Sequence, residues 1–249
     1  MRLLLLFLLA FAPYAQAISK PVEVKSPDRS VVLAFDIDSE GHFVYRLTKD
    51  KETVIDWSVT GFASSAGSVT DATRLDAGRK VRVRQEWKPL WGKRSVVPDR
   101  YNGRDISVTF ADLGEVTLQA RVYDDGAAFR FTGLPAGEMT EQTSFNFAGD
   151  YTAWFYNGER HNIGPERLSE SDGERLPVMT VKAAEDRYLA IHEAALGPDG
   201  WPMRLRSVAG STSFEVIPEA ISADSPFTSA WRVVMCSATP GGPGGFASA

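Results

Sequence analysis

The segment EVTLQARVYDDGAAFRFT, residues 115–132, carries the clearest fold signal in the chain. Apolar and polar side chains alternate along Glu115–Val122, as they do in a strand that buries one face. The DDG sequence at Asp124–Gly126 supplies the residues that a tight hairpin turn requires, and Ala128–Thr132 returns as a second strand. This segment therefore predicts an antiparallel β-hairpin.

The same pattern extends in both directions from this hairpin. Short alternating runs are repeatedly broken by Gly, Pro, Asp or Asn, and the strongest helix candidate, Ala183–Arg187, is very short. Further predicted strands are Val31–Ser39, His42–Lys49, Lys80–Trp87, Asp105–Phe110, Thr143–Phe147, Ala153–Tyr156, Val178–Ala183, Arg187–Ala194, Met203–Ser207, Ser213–Ile217 and Ser229–Met235. We predict an all-β fold, a large antiparallel sandwich, because open sheets beyond about ten strands curl or split.

Composition excludes several classes of protein. The 249 residues are 43% hydrophobic and 24% charged, which is typical of a globular chain and not of a disordered or collagen-like one. The net charge of −5 argues against a nucleic-acid partner. The single cysteine, Cys236, excludes an internal disulfide and an all-cysteine metal site.

The two ends of the chain differ in character from its middle. Arg2, the apolar run Leu3–Phe11 and the small residues of Ala15–Ala17 form the pattern of a secretory signal peptide, and the run is too short to span a membrane. We expect residues 1–17 to be a signal peptide, the protein to be exported to the periplasm or secreted, and residues 18–235 to form the sandwich. Residues 236–249 are rich in Gly, Pro and Ala, which indicates a flexible tail or the start of a linker between domains. The alternative is that the gene stops early or that its reading frame is lost here.

Motifs for catalysis are missing from the sequence. There is no glycine-rich phosphate loop, HExxH, CxxC or nucleophile elbow. The three histidines, His42, His161 and His192, fall in three separate predicted elements. We interpret the pair Asp124 and Asp125 as turn residues, because Asp-Gly supplies the dihedral angles of a hairpin. No catalytic residue is predicted from these patterns.

Two tryptophans bracket a proline in the segment WKPLWGKR, residues 87–94. Trp87 and Trp91 could form an aromatic platform for sugar rings, since such faces combine large apolar area with polar rims. The alternative is that both indoles pack in the core at a strand corner.

The segment RYLAIHEAAL, residues 187–196, places an acid at the end of an apolar stripe. In a strand, Leu189, Ile191 and Glu193 share one face, and His192 lies on the other. Glu193 then either emerges into solvent at the end of the strand or lies near a site.

Five segments in the same order resemble the N-terminal domain of glycoside hydrolase family 97, whose members are exported bacterial α-glucosidases and α-galactosidases. The matching text is SPDRSVVLAF (26–35), WKPLWGKRS (87–95) with the following YN, RVYDDGAAFRF (121–131), YLAIHEAAL (188–196) and SPFTSAWRVVM (225–235). Together these segments span nearly all of the mature chain. The resemblance implies a β-super-sandwich of the galactose-mutarotase type, in agreement with the strand pattern.

The resemblance also implies that the chemistry lies outside this chain. Family members continue from the sandwich into a (β/α)8 barrel that carries the catalytic residues, and then into a small C-terminal β domain. The present sequence stops where that barrel would begin. No catalytic residue can therefore be assigned, and a catalytic (β/α)8 barrel is an expected partner.

One metal ligand follows from the resemblance. The calcium site of the family takes one glutamate from the sandwich, in the segment that matches IHEAAL, and the others from the barrel region. Glu193 occupies that position, so the resemblance favours a ligand role for it. Because calcium needs six to eight oxygen ligands, we expect this chain alone to bind calcium weakly and to hold no tight cofactor.

Three functions remain in view. We predict a non-catalytic, carbohydrate-associated N-terminal domain of an exported α-glycosidase, present as a truncated or frame-broken product, with an α-glucoside or α-galactoside as ligand. A free-standing carbohydrate-binding protein is the alternative, and it requires Trp87 and Trp91 at the surface. An aldose mutarotase-like enzyme is the second alternative, and it requires His161 with His192 or Glu193 to meet in a cleft.

Overall fold

The computed structural model describes residues 20–64, 71–91, 95–197, 202–217 and 219–240. The predicted signal peptide and most of the predicted tail lie outside these ranges. Within them the chain forms twenty strands and one 3-10 turn, Leu168–Glu170, and it contains no α-helix. Across the same ranges, no helix is long and apolar enough to cross a membrane.

The strands are numbered in chain order. The first ten are β1 Val22–Lys25, β2 Val31–Ile37, β3 Phe43–Lys49, β4 Glu52–Val59, β5 Phe62–Ser64, β6 Ala72–Trp87, β7 Val97–Phe110, β8 Gly114–Tyr123, β9 Gly126–Leu134 and β10 Gly137–Glu141. The others are β11 Ser144–Phe147, β12 Thr152–Tyr156, β13 Ile163–Arg167, β14 Glu174–Ala184, β15 Arg187–Ala194, β16 Leu205–Ser207, β17 Ser213–Val216, β18 Ala220–Ala223, β19 Phe227–Thr228 and β20 Trp231–Ser237.

The strands form two large layers and one small sheet. The first layer has the order β1-β2-β3-β4-β11-β17-β16, and β14 joins it to the second layer, β13-β12-β14-β15-β20-β9-β8-β7-β6. The small sheet has the order β18-β10-β5. Each pairing named here is antiparallel, which confirms the predicted all-β antiparallel sandwich.

Aromatic side chains fill the core between the two large layers. The Phe129 ring of β9 lies 6.1 Å from the Phe35 ring and 4.8 Å from the Tyr45 ring, centroid to centroid. Phe43 meets Phe131 at 6.2 Å. All five are at most 2% exposed. Alternation along the strands places these rings on one face, and each buried ring contributes on the order of 2 kcal/mol from transfer alone.

The short segment Ala183–Arg187 forms the end of β14, a tight turn and the start of β15, as the strands predicted on either side of it require. One predicted element is different in the structure. The hairpin β6–β7 is longer than predicted. Most of β6 is exposed, so its added residues carry no buried stripe from which a strand could be recognised.

Strand β20 occupies a central position in the second layer although it is late in the chain. It pairs with β15 through Tyr188–Ala194 and with β9 through Gly126–Phe129. It continues two residues beyond Met235, and Cys236 is 3% exposed in the core. Strand β20 therefore joins β15 to β9 in the sheet on which the candidate site lies.

Candidate functional site: the open face of the second layer

The second layer has a side that points away from the main core, which we call the open face. In β15 and β20, Leu189, Ile191 and Val234 belong to the core cluster, and their sequence neighbours point to the other side. A separate cluster of buried side chains lies there, made of Tyr101, Tyr123, Ala128, Trp231 and Val233. The layer is thus apolar on both sides.

One row of residues runs straight across the middle of the open face. Strand register aligns Gly103 with Arg121, Arg121 with Ala128, Ala128 with Val233 and Val233 with His192. Cross-strand neighbours share a face, so the row has small residues in the middle and larger polar residues at Arg121 and His192.

The small residues of this row form the floor of a pocket. The pocket has a cavity volume of about 70 Å³ and is open to solvent. Its floor includes Ala128, Val233 and Ala194, and its larger lining side chains are Arg121, Tyr123, His192, Trp231 and Met235. The lining is mostly apolar, with a guanidinium and an imidazole at its border. Such a mixture is typical of a recognition site.

Two guanidinium groups contact the same indole at one wall of the pocket. The Cζ atom of Arg121 lies 4.5 Å from the Trp231 ring centroid, and that of Arg130 lies 4.6 Å from it. Arg121 also lies over the Tyr101 ring, at 5.0 Å. Burial, followed by the charge of Arg121, lowers the pKa of Arg130. Cation–π contacts therefore hold both guanidinium groups against one indole.

Two carboxylates on strand β7 are engaged elsewhere. Asp99 accepts hydrogen bonds from the Tyr123 hydroxyl at 3.2 Å and from Gln85 Nε2 at 3.1 Å. Asp105 forms an ion pair with Arg79 at 3.2 Å. In the part of the chain that the structure describes, neither Arg121 nor Arg130 forms an ion pair.

His192 closes the other end of the row with an unused nitrogen. Its Nδ1 atom is buried and has no hydrogen-bond partner among the described residues. Burial lowers the pKa of the imidazole, so the neutral form is favoured at pH 7. The imidazole therefore borders the pocket as a neutral ring whose Nδ1 atom is inaccessible to solvent and unsatisfied among the described residues.

A buried charged triad lies at the end of β15 on the core side. Arg232, Glu141 and Glu193 have side chains 4%, 2% and 7% exposed. Arg232 Nε donates to Glu141 Oε1 at 2.7 Å, a second guanidinium nitrogen donates to Glu141 Oε2, and Nη1 lies 3.3 Å from Glu193 Oε2. Glu193 Oε2 also accepts the Met203 backbone N–H at 2.6 Å. These contacts join the small sheet to the second layer.

The triad decides how Glu193 relates to the predicted calcium site. Burial raises the pKa of Glu193, against the opposing effects of Met203 N–H and Arg232. The Glu193 side chain is buried and does not emerge into solvent. Its Oε2 atom already accepts from two donors, the Met203 backbone N–H and Arg232 Nη1. No cluster of three potential metal-ligating side chains exists within the described ranges. On their own, these residues do not fit a calcium ion, which requires six to eight oxygens.

Trp87 and Trp91 lie far from a core environment. Both are near the tip of the β6–β7 hairpin, where Trp87 is 40% exposed, Trp91 is 86% exposed and the intervening Leu90 is 99% exposed. The core alternative for the two indoles is therefore wrong. Residues 92–94 of the same segment lie outside the described residues.

The histidine and carboxylate required by a mutarotase-like site do not come together as that alternative needs. His161 is exposed and does not line the pocket. His192 and Glu193 both border the pocket, but the Glu193 carboxylate is bound to Arg232 and Met203. The geometry gives no support to this alternative.

Sequence reasoning selected Glu193 but missed Arg121, Arg130 and Trp231. These three belong to strands that were predicted from alternation, and their polar or large side chains occupy the positions assigned to solvent. Only the register between β8, β9 and β20 shows that they meet. The two arginines of RVYDDGAAFRF are nine positions apart, so local spacing gives no signal that they meet.

The fold and the open face together define an all-β sandwich domain with one apolar recognition face. A family model described as Glycosyl-hydrolase 97 N-terminal matches residues 24–242. The chain therefore belongs to the glycosyl-hydrolase 97 N-terminal family, as the five segments of the sequence indicated.

Solved structures with the same fold include two larger enzymes. A glycoside hydrolase family 97 enzyme from Pseudoalteromonas sp. strain K8, solved in complex with acarbose, is similar with a TM-score of 0.75 and 20% identity, over 88% of this chain and 36% of the enzyme. A β-arabinopyranosidase is similar with a TM-score of 0.74 and 17% identity, over 87% of this chain and 40% of that one. The chain spans well under half the length of these enzymes.

Proposed function

We propose that this chain is a non-catalytic, carbohydrate-associated N-terminal module of an exported α-glycosidase. The family match over residues 24–242 carries the proposal. Two further findings support it: the chain corresponds to about a third of the Pseudoalteromonas enzyme, and that enzyme has been solved with acarbose and with panose. A catalytic (β/α)8 barrel is the partner we propose for the module.

The open face is the surface we propose for contact with the rest of such an enzyme. It carries an open, mostly apolar pocket beside the buried cluster around Trp231. Apolar pockets that contain a few polar groups are common at binding sites. If the face is left uncovered, we expect the protein to dimerise or to precipitate at high concentration.

Export and calcium are further parts of the proposal. The sequence of residues 1–17 supports secretion or a periplasmic location. Glu193 would serve as a calcium ligand only if another module supplied most of the carboxylates and displaced Arg232 from its present contact. Alone, the chain should bind calcium weakly, and a tight calorimetric isotherm would contradict this.

The proposed function has a direct test in the activity of the purified chain. We expect no hydrolysis of p-nitrophenyl α-glucoside above the buffer rate, because the proposed catalytic groups belong to the partner barrel. Measurable turnover would refute the non-catalytic role. The nucleotide sequence after the codon for Ala249 tests the link to a barrel: a reading frame that encodes a (β/α)8 barrel supports it, and unrelated sequence counts against it.

A second function, a free-standing carbohydrate-binding protein, is favoured by the exposed hairpin tip. Trp87 and Trp91 present apolar surface to solvent, as a sugar-stacking platform requires. In this case panose should bind to the purified chain, and the Trp87→Ala, Trp91→Ala double variant should lose that binding with unchanged thermal stability. A dimer formed through the open face would instead favour the module.

A further inference from the structure

We infer that a second pocket, on the outer side of β12 and β14, binds a neutral pyranose ring of an oligosaccharide. The pocket has a cavity volume of about 360 Å³ and is open to solvent. It lies near the β13 edge of the second layer and shares no lining residue with the pocket beside Trp231. The inference gives the carbohydrate association of the proposed function a binding site, and it rests on that function only for the choice of an α-glucoside as probe.

Strand alternation brings two aromatic side chains to this pocket. On β12, Ala153 and Phe155 belong to the core cluster, whereas Trp154 and Tyr156 lie on the other side and line the pocket. Tyr156 is 46% exposed. Across the sheet, Trp154 pairs with Thr180 of β14, which also lines the pocket. An indole, a phenol ring and a hydroxyl group therefore border one solvent-accessible space.

The backbone of β13 holds the indole in place. A Cβ atom at Gly164 would lie 2.5 Å from the Ala153 carbonyl oxygen and 3.2 Å from Cδ1 of the Trp154 ring. The glycine thus allows β13 to lie against the edge of the indole, which limits the rotation of the ring. An aromatic surface that is ordered before the ligand arrives loses little conformational entropy on binding.

The lining of the pocket favours an uncharged ligand. All seven residues that line it are uncharged. An ionic ligand would lose hydration there without meeting a charge of the opposite sign among these residues. The ligand class that suits the lining is therefore a neutral one.

Polar groups at the pocket disfavour a purely apolar ligand. Four such groups border it: the Trp154 indole N–H, the Tyr156 and Thr180 hydroxyls and the Asn162 side-chain amide. With respect to the described residues, none of the four takes part in a side-chain hydrogen bond. An apolar body over these groups would take them out of water without giving them a partner. Sugar hydroxyls donate and accept hydrogen bonds, and the C–H face of a pyranose packs on an aromatic ring.

The first test is a titration of the isotope-labelled full chain with panose, followed by two-dimensional NMR of the tryptophan indole N–H groups. We expect a saturable shift of the Trp154 signal, which is assigned by its absence from Trp154→Leu, and unchanged signals from Trp87 and Trp91. A shift confined to Trp87 and Trp91 would place the sugar at the hairpin tip and overturn the inference. A lack of saturable binding would overturn it as well.

Variants link the binding to the pocket, with calorimetry as the measure of affinity. Trp154→Leu removes the stacking surface and should lower panose affinity about tenfold or more. Thr180→Val keeps the shape but removes the hydroxyl, and should lower it about fivefold. Trp57→Leu is the matched control, because Trp57 is a partly exposed tryptophan of β4 that packs against Arg46 outside the pocket. It should change the affinity less than about twofold.

Thermal unfolding shows whether each variant is folded. Should Trp154→Leu fail to fold, Tyr156→Ala takes its place with the same expected loss, since Tyr156 is 46% exposed. A folded Trp154 or Tyr156 variant that binds panose as the natural chain does would contradict the site.

Two ligand comparisons test the chemistry of the pocket. Methyl α-glucoside should bind more tightly than methyl α-glucuronide, which adds a negative charge to the same ring. It should also bind more tightly than cyclohexanol, which has a ring of similar size but lacks most of the hydroxyls. Equal or tighter binding of either comparison compound would overturn the assignment to a neutral sugar.

The proposed function can fail separately from this site. Turnover of p-nitrophenyl α-glucoside, or unrelated sequence after the codon for Ala249, would count against the non-catalytic module and leave a panose site at Trp154 intact. Conversely, panose binding that Trp154→Leu does not weaken would remove the site and leave the module without turnover as proposed.

Discussion

The two faces of the second layer are made by adjacent residues of the same strands, and they treat arginine in opposite ways. On the core side, Arg232 is 4% exposed and bonded to two carboxylates. On the open face, Arg121 and Arg130 contact an indole, and the described residues offer neither of them a carboxylate. Positive charge is neutralised by carboxylates on the core side, and among the described residues it has no ion pair on the open face.

The largest expected difference between the faces concerns two neighbours on β9. Phe129→Ala should cost about 4 kcal/mol of unfolding free energy, because it leaves a cavity beside Phe35 and Tyr45. Arg130→Ala, one residue away on the open face, should cost less than about 1 kcal/mol. Urea unfolding measures both. Similar losses at the two positions would show that the open face is a second structural core.

The buried triad should give the next largest effect. Glu141→Gln leaves the Arg232 charge without its principal partner, and we expect a loss of about 3 kcal/mol in the same urea assay. The triple variant Glu141→Leu, Glu193→Gln, Arg232→Met removes all three charges and should recover most of that loss. A single variant as stable as the natural protein would mean that Glu193 alone neutralises Arg232.

Gly103 tests how closely the open face is packed at its floor. A Cβ atom at this position would lie 2.8 Å from the Ala120 carbonyl oxygen and 3.2 Å from the Tyr101 ring. We expect Gly103→Ala to cost about 2 kcal/mol by thermal or urea unfolding, because the carbonyl cannot move aside. Gly197→Ala is the matched control, since nothing lies within 4 Å there. A neutral Gly103→Ala would indicate a loosely paired hairpin.

The smallest expected effect lies at the tip of the β6–β7 hairpin. Trp91 is 86% exposed, so Trp91→Ala should change the unfolding free energy by no more than about 0.5 kcal/mol. Trp87, which is 40% exposed, serves as the comparison and should lose somewhat more. A loss above about 2 kcal/mol for Trp91→Ala would place the indole in a structural contact and exclude a free platform.

How much of this could be predicted depends on how local each interaction is. Strand Arg187–Ala194 was predicted with its exact bounds, and the Asp124–Gly126 turn was confirmed, because alternation and turn chemistry act over a few neighbouring residues. The small sheet was missed. Its strands β5, β10 and β18 have three to five residues each, and their stability comes from distant pairings such as Glu141 with Phe62.

The candidate site was harder to predict than the fold for the same reason. Glu193 was found because a resemblance singled out its segment. Its buried neighbour Glu141 is linked to it only through Arg232, and Arg232 follows Glu141 by 91 positions in the chain. The pairing of Arg121 and Arg130 with Trp231 depends on the register of three strands. The alternation of apolar and polar residues cannot provide that register, because a shift of two residues between neighbouring strands leaves every side chain on the same face of the sheet.

The central place of β20 sets an order of events during biosynthesis. Its two neighbours, β9 and β15, are made long before it, and each must keep an unpaired edge until Trp231–Ser237 has been synthesised. Closure of this layer therefore comes late, with contacts between residues about a hundred positions apart. A chain whose second layer stays open until β20 arrives is exposed to aggregation until that strand inserts.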